Sequence, residues 1–258
     1  MLPTRRRLGS IYKKKVFMKG LQDKTVLITG ALGGIGRATI QAFNAYNVQL
    51  ILIDIVAEDK YFLDCLKNQA VYFQVDIAQP EHVDQIYQQI LKQFPQIDFL
   101  IHTAGVYQHI ELDDLDFATW NQQINLNLNA NYYLIKSFKN ALTEDSAIVN
   151  IASIAGHQGS LAHTAYATAK GGVVALSKSL AIELAPKTRV NTVSPGLIDT
   201  QMMQGMTAEK RRDMTEATPL QRLGQPHEIA DVILFLCSQG ASFMTGENIH
   251  VNGGLYRH

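Results

Sequence analysis

Tyr166 and Lys170 stand four residues apart in a stretch with helical periodicity. On a helix this spacing puts both side chains on one face, where they can reach the same bound molecule. A free tyrosine has a pKa of about 10, and a neighbouring ammonium group favours the phenolate and lowers that pKa. Ser153, which follows a predicted strand, adds a hydroxyl that can polarise a carbonyl. Together these residues predict acid/base chemistry at a carbonyl or alcohol carbon, although each alone is common.

A glycine-rich loop, Thr29–Gly36, follows the first predicted strand and opens a predicted helix. In this context glycine lets the backbone approach a pyrophosphate, and the exposed N–H groups and the helix dipole favour its negative charge. The combination of this loop with the tyrosine, lysine and serine is far more specific than any one of them. The sequence therefore predicts a dinucleotide bound beside the acid/base group.

Asp54 ends the second predicted strand, 18 residues after Gly36. A carboxylate there accepts hydrogen bonds from the adenosine ribose hydroxyls and repels a 2′-phosphate. No lysine or arginine lies between Gly30 and Gly36, and Ile55 rather than a basic residue follows Asp54. We therefore expect NAD(H) as the preferred cofactor. NADP(H) stays open because Arg37 can swing toward a phosphate.

These groups must be positioned by short β-branched runs that alternate with helical stretches, the pattern of a parallel sheet covered on both faces. The predicted strands are Thr25–Thr29, Gln49–Asp54, Ala70–Val75, Phe99–Thr103, Ala147–Ala152, Arg189–Ser194 and Asn248–Val251. The predicted helices are Ile35–Tyr46, Glu81–Phe94, Phe117–Ala141, Ala165–Ala185 and Glu228–Cys237. We therefore predict one α/β domain over residues 18–258, a doubly wound Rossmann-type fold with a mostly parallel, seven-stranded sheet. The stretch at about 197–224 interrupts the alternation and is predicted to be a substrate lid.

Composition argues against several other kinds of protein. Residues 1–17 carry six basic residues and no acid, which leaves 17 basic against 23 acidic residues in the remainder. A mildly acidic remainder argues against a nucleic-acid surface. No apolar run approaches the roughly 18 residues of a membrane span, and the two cysteines and eight histidines show no metal-ligand spacing. We expect a cytoplasmic protein with no bound metal, and a disordered extension over residues 1–17.

From about residue 21 to residue 254 the chain resembles the short-chain dehydrogenase/reductase family. The matching segments are TGALGGIG (29–36), VDI (75–77), AG (104–105), NLNAN (127–131), NIAS (150–153), YATAK (166–170), SPGLIDT (194–200) and VNGG (251–254). The two subgroups that it resembles are 3-oxoacyl-(acyl-carrier-protein) reductases and NAD-dependent dehydrogenases of secondary alcohols or dihydrodiols.

The resemblance implies a catalytic tetrad of Asn127, Ser153, Tyr166 and Lys170. Tyr166 would exchange the proton as hydride passes at the nicotinamide, Ser153 would orient the substrate oxygen, and Lys170 would bind the ribose and lower the pKa of Tyr166. Asn127 would hold a water that links Lys170 to solvent, a role for which Asn125 competes. The glycine-rich loop, the end of the second predicted strand and the family resemblance together give the expected cofactor-binding residues. These are Gly30, Gly34, Ile35, Gly36, Asp54, Asp76, Ile77, Ala104, Gly105, Tyr166, Lys170, Pro195, Gly196, Ile198 and Thr200.

One departure from the family pattern is His102-Thr103, where two asparagines are usual. We expect His102 to be a core histidine bonded to the backbone. The resemblance also implies a homotetramer, in part through the apolar faces of the helices that carry Asn127 and Tyr166, although those faces can instead cover the sheet.

We expect a small-molecule carbonyl or alcohol substrate, with the NADPH-dependent carrier-protein reductase as the alternative. The acyl-carrier protein is not expected as a partner, because the surfaces that would meet this acidic protein read Thr143–Asp145 and Ile182. A non-catalytic protein that senses the cofactor is the alternative from another class, and its mark would be a lost tetrad residue.

Overall fold

The computed structural model describes residues 18–203 and 207–257. The extension expected at residues 1–17 lies outside the described residues, as does Met206 of the expected lid. Among the described residues, no helix is both long and apolar enough to cross a membrane.

Seven parallel strands form one sheet in the order β3-β2-β1-β4-β5-β6-β7. Their bounds are β1 Lys24–Thr29, β2 Val48–Asp54, β3 Gln69–Gln74, β4 Ile97–His102, β5 Leu142–Ile151, β6 Thr188–Pro195 and β7 Asn248–Val251. The predicted doubly wound α/β fold is confirmed, and the sheet is wholly rather than mostly parallel. Strand order reverses between β1 and β4, the place where open α/β sheets bind ligands.

The described helices are α1 Gly34–Phe43, α2 Lys60–Asp64, α3 Pro80–Gln93, α4 Phe117–Ile124, α5 Ala130–Phe138, α6 Ala155–Gln158, α7 Thr164–Glu183, α8 Ala208–Ala217 and α9 Pro226–Cys237. The short helices α2 and α6 and the polar helix α8 were not predicted. Helix α8 lies within the expected lid segment, where the run of charged residues gives no apolar stripe to reveal it.

The core lies on both faces of the sheet. On one face α1 packs against α9, and wholly buried side chains such as Phe43 and Ile233 cover the strands. On the other face α3, α5 and α7 bury Ile90, Phe138 and Ala181 against the strands. Strand β4 is buried along its whole length, as expected for a central strand of a parallel sheet. The strand ends at the carboxyl edge are thereby held in fixed positions.

One predicted helix is interrupted. The stretch Phe117–Ala141 was expected to be continuous, but a π-helical turn at Asn125–Asn129 separates α4 from α5, and a 3-10 turn at Lys139–Ala141 follows α5. A π turn accommodates one extra residue per turn, and such turns are frequent at functional sites. The apolar periodicity continues on both sides, so the sequence pattern did not show the interruption.

Candidate active site

A cavity of about 970 Å³ opens at the carboxyl edge of the sheet, where the strand order reverses. Its walls are the segments that follow the six strands β1 to β6, together with residues of α7 and part of the 197–224 segment. All fifteen residues expected to bind the cofactor line it. Of the four tetrad residues, Ser153, Tyr166 and Lys170 line the cavity, and Asn127 lies behind its wall.

The glycine-rich loop leaves room for no side chain at two of its positions. Gly30 has φ +63°, and a Cβ added there would lie 2.5 Å from the Ala104 nitrogen. A Cβ at Gly36 would collide with the Gly30 carbonyl oxygen. Thr103 braces the loop, since its hydroxyl donates to the Thr29 carbonyl at 2.7 Å. The chain can therefore bring its backbone N–H groups close to a phosphate at the start of α1, as a dinucleotide requires.

Two carboxylates stand at the end of the cavity that receives the adenosine in this kind of fold. Asp54 Oδ2 accepts a hydrogen bond from the Leu32 N–H at 2.8 Å, and Oδ1 accepts one from the Ile55 N–H at 2.7 Å. Asp76 Oδ1 accepts from the Ala78 N–H at 3.0 Å. Asp54 therefore ties the end of β2 to the glycine-rich loop.

Tyr166 and Lys170 are buried at the other end of the cavity, on α7 as the spacing predicted. Lys170 Nζ donates to the Ile151 carbonyl at 2.8 Å and lies 5.8 Å from the centre of the Tyr166 ring. Ser153 follows β5 and lies beside Tyr166, where its hydroxyl favours the phenolate. Strand β5 and helix α7 thus bring a hydroxyl, a phenol and an ammonium group to one place.

Asn127 occupies the π turn and is wholly buried. Its Oδ1 accepts from the Val106 N–H at 3.0 Å, and its Nδ2 donates to Gln123 Oε1 at 3.0 Å. A Cβ added at Gly105 would lie 2.9 Å from Asn127 Oδ1 and 3.4 Å from Lys170 Nζ, so both side chains flank this glycine. The competing residue, Asn125, instead accepts a hydrogen bond from Asn129 at 2.7 Å.

Comparison of the sequence with known proteins identifies the family of this chain. The sequence model described as "Enoyl-(Acyl carrier protein) reductase" matches residues 30–256. A 3-oxoacyl-(acyl-carrier-protein) reductase of Buchnera aphidicola is 35% identical over 90% of this chain and 97% of its own length. The chain belongs to the short-chain dehydrogenase/reductase family. It is therefore an oxidoreductase that acts on CH–OH groups, as expected, and not the non-catalytic binding protein raised as an alternative.

Solved structures of the short-chain dehydrogenase/reductase family agree with the fold. A short-chain dehydrogenase/reductase of Brucella melitensis, described as a glucose/ribitol dehydrogenase, is 39% identical with a TM-score of 0.84, over 93% of this chain and all of that one. The aldohexose dehydrogenase of Thermoplasma acidophilum is 30% identical with a TM-score of 0.84, over 93% of this chain and 96% of that one. The same domain therefore serves relatives named for quite different substrates.

Without bound molecules, Tyr166 does not show the lowered pKa expected beside Lys170. Burial raises the pKa of Tyr166 to about 12, and the hydrogen bond with Ser153 only partly opposes this rise. Burial also lowers the pKa of Lys170 to about 8. Burial dominates the pKa of both groups, because each loses the solvation of its charged form. Tyr166 is therefore a protonated phenol at neutral pH in the protein without bound molecules.

The hydrogen-bond partner of His102 also differs from the expected one. Its Nδ1 lies 2.8 Å from the Thr29 hydroxyl, so its partner is a side chain rather than the backbone. Burial, followed by the charge of Lys170, lowers the pKa of His102 to about 3. The imidazole is therefore neutral at physiological pH and acts as a structural group between β1 and β4.

Tyr107 is a site residue that the sequence reasoning missed. Its ring stacks on His163 with centroids 4.0 Å apart and meets the edge of Tyr166 at 4.9 Å. It lines the cavity two residues after Gly105, and its position beyond the end of β4 was the available signal. Met203 and Met214 of the expected lid also line the cavity. The cavity lining thus includes aromatic and thioether side chains, which suit a substrate with apolar parts.

Proposed function

We propose that this protein is an NAD(H)-dependent oxidoreductase that interconverts a secondary alcohol and a ketone. The observation that carries the proposal is one cavity with a buried tyrosine–lysine pair at one end and carboxylates at the other. Tyr166 and Lys170 fit proton exchange with a substrate oxygen, and Asp54 and Asp76 fit an adenosine ribose that carries no 2′-phosphate.

The glycine-rich loop and the cavity that it lines fit a nicotinamide dinucleotide, which supplies or accepts the hydride when bound. In ketone reduction the Tyr166 hydroxyl donates its proton to the substrate oxygen, and in alcohol oxidation the Tyr166 oxygen takes that proton. The Ser153 hydroxyl donates a hydrogen bond to the same substrate oxygen and holds it near Tyr166. Lys170 supplies positive charge beside the phenol, and Asn127 is proposed to hold a water behind it.

The proposed preference for NAD(H) rests on the charges at the adenosine end. Among the described lining residues, Arg37 and Lys170 are the only lysines or arginines, and Lys170 belongs to the catalytic end. Arg37 already forms an ion pair with Asp59 at 2.8 Å. A 2′-phosphate would therefore meet the carboxylate of Asp54 and no uncommitted arginine.

The direct test is separate titration of the purified protein with NADH and NADPH, followed by nicotinamide fluorescence. We expect the dissociation constant to be at least about tenfold lower for NADH, a difference of about 1.4 kcal/mol. Equal affinities, or tighter NADPH, would contradict the proposed preference and leave the oxidoreductase assignment intact.

A second candidate is a reductase of 3-oxoacyl groups carried on acyl-carrier protein, because curated relatives with this name match at 31–35% identity over nine-tenths of the chain. Against it, Ile182 presents an apolar side chain that is 82% exposed where an acidic partner would need positive charge. Arg211 in α8 is already paired with Asp199 at 2.9 Å.

Reduction of a 3-oxoacyl group on the carrier protein, compared with the same group on a free thioester, separates the two candidates. Similar kcat/KM values for both carriers support a small-molecule enzyme that does not recognise the carrier. A value about a hundredfold higher with the carrier protein would favour the second candidate.

We further propose a cytoplasmic homotetramer in which the segment at about 197–224 closes over the substrate. Unpaired cysteines at positions 65 and 237 are consistent with a reducing compartment. Part of the apolar face expected for subunit contact is used within the chain, since Val173 is wholly buried and Leu180 and Leu184 pack against the core. Light scattering at micromolar concentration tests the assembly, and a monomeric mass would contradict it.

A further inference from the structure

Arg37 is held in place by three contacts at the adenosine end of the cavity. Its Nε donates to the Leu32 carbonyl at 2.9 Å, and its Nη2 donates to Asp59 Oδ2 at 2.8 Å. Its guanidinium carbon lies 4.6 Å from the centre of the Phe62 ring. These contacts use the hydrogen-bonding edge and a flat face of the guanidinium together. An arginine that lines the cofactor cavity is thus committed to the protein.

Asp59 uses its two carboxylate oxygens for different purposes. Oδ1 accepts from the Phe62 N–H at 3.1 Å and caps the start of α2, while Oδ2 binds Arg37. The hydrogen bond from the Phe62 backbone, and then that from Arg37, hold the pKa of Asp59 below its usual value. The carboxylate is therefore ionised at neutral pH and opposes the arginine charge. Because the cap and the ion pair use different oxygens, a substitution can remove one and keep the other.

We propose that Asp59 is a specificity-determining residue that disfavours NADP(H) by holding Arg37 away from a 2′-phosphate. The inference rests on the proposed function and adds a second determinant to Asp54. Asp54 repels the phosphate by its own charge, whereas Asp59 withholds the arginine that would neutralise the phosphate. Both act at the edge of the cavity beyond β2.

Arg37 can exchange its partner Asp59 for another anion because the ion pair is open to water. The Arg37 and Asp59 side chains are 34% and 36% exposed, and an ion pair at such a position contributes little to stability. A phosphate offers more charge and more acceptor oxygens than one carboxylate, in a geometry that suits a guanidinium. Once the Asp59 charge is removed, the Nη2 donor that now binds Asp59 is free for a 2′-phosphate in the cavity that Arg37 lines.

Asp59→Asn is the decisive variant, because asparagine still caps α2 through its side-chain oxygen and loses the charge. We expect the dissociation constant for NADPH to fall about tenfold, while that for NADH changes by less than about twofold. The double variant Asp59→Asn with Arg37→Gln should return the NADPH value to that of the wild type. Titration by nicotinamide fluorescence gives all three values, and the gain in Asp59→Asn should shrink as salt is added.

Glu58→Gln is the matched control, since it removes the same charge from the neighbouring residue and leaves the Arg37–Asp59 pair in place. An unchanged NADPH affinity in Asp59→Asn, with an unfolding midpoint like that of the wild type, would overturn the inference. So would a gain that survives in the double variant, or an equal gain in Glu58→Gln, because each would trace the effect to bulk charge. The wild-type ratio of NADH to NADPH affinity tests the proposed function separately, whatever the variants show.

Discussion

The two ends of the cavity hold their charged groups in different surroundings. At the adenosine end Arg37 and Asp59 are each about one-third exposed. At the catalytic end Tyr166 is 9% exposed and Lys170 is 3% exposed. Water screens the first pair, so its partners can be exchanged at small cost. The second pair is removed from water, so each ionisation there is linked to the stability of the fold.

The difference in exposure suits the two roles proposed for the ends. Choice between two cofactors requires only a modest difference in affinity, which exposed charges can provide and evolution can alter. Proton exchange requires a phenol whose environment is fixed, and burial shifts the pKa of Tyr166 to about 12 and that of Lys170 to about 8. Substitutions at the two ends should therefore differ in both the size and the kind of their effects.

The largest effect is expected for Tyr166→Phe. Removal of the phenol oxygen removes the proton donor, and general acid/base groups contribute about 10²- to 10⁴-fold to rate, so kcat should fall by at least about a thousandfold. Cofactor affinity should change by less than about threefold, because the ring and Lys170 stay in place. Steady-state kinetics and NADH titration of the same preparation give both values. Turnover near that of the wild type would show that the two ends are not specialised as described.

Lys170→Met should lower turnover less than Tyr166→Phe does, and it should also stabilise the fold. Burial lowers the pKa of Lys170 from 10.5 to about 8, which disfavours the native state at neutral pH by about 3 kcal/mol at about 1.4 kcal/mol per pKa unit. Loss of the hydrogen bond to the Ile151 carbonyl offsets about 1 kcal/mol of this. We expect the free energy of unfolding at pH 7 to rise by about 2 kcal/mol, as measured by urea denaturation.

The pH dependence of the stability gained in Lys170→Met provides the control. Between pH 8 and pH 10.5 the unfolded chain keeps the Lys170 proton and the native protein loses it, so wild-type stability rises with pH relative to the variant. The advantage of Lys170→Met should therefore shrink from pH 7 to about pH 10. A constant difference would mean that burial of the charge is not its cause.

Asp54→Asn should have an intermediate effect, confined to the choice of cofactor. Loss of the charge weakens hydrogen bonds to the ribose, so we expect NADH affinity to fall about tenfold. It also removes the repulsion of a 2′-phosphate, so the preference for NADH over NADPH should narrow. Asp76→Asn, at the same end of the cavity, is the comparison. If it narrows the preference equally, the effect belongs to the total charge of this end rather than to Asp54.

The smallest effect is expected for the stability of Asp59→Asn. Water screens an ion pair this exposed, and asparagine keeps the cap of α2, so the free energy of unfolding should be nearly unchanged. The same urea denaturation used for Lys170→Met measures it. A large loss of stability in Asp59→Asn would show that the exposed ion pair matters to the fold as much as the buried groups of the catalytic end.

The fold was predictable because its signals are local. The predicted strand Asn248–Val251 has its observed bounds, and Gln49–Asp54 differs from β2 by one residue. The helices with a clear apolar stripe, such as α3, were found within a residue or two. Helix α8, which is polar, was missed, and the π turn within Phe117–Ala141 was also missed because it leaves the pattern on either side intact.

By itself the sequence determined the α/β class, the glycine-rich loop after β1, the tyrosine and lysine on one face of α7 and the carboxylate at the end of β2. Each of these depends on spacing within one element or its immediate continuation. Only the tertiary structure decided that Arg37 pairs with Asp59, that His102 meets Thr29, and that burial rather than Lys170 controls the pKa of Tyr166. Partners far apart in sequence and the loss of water depend on how all the elements pack, and no local pattern contains that information.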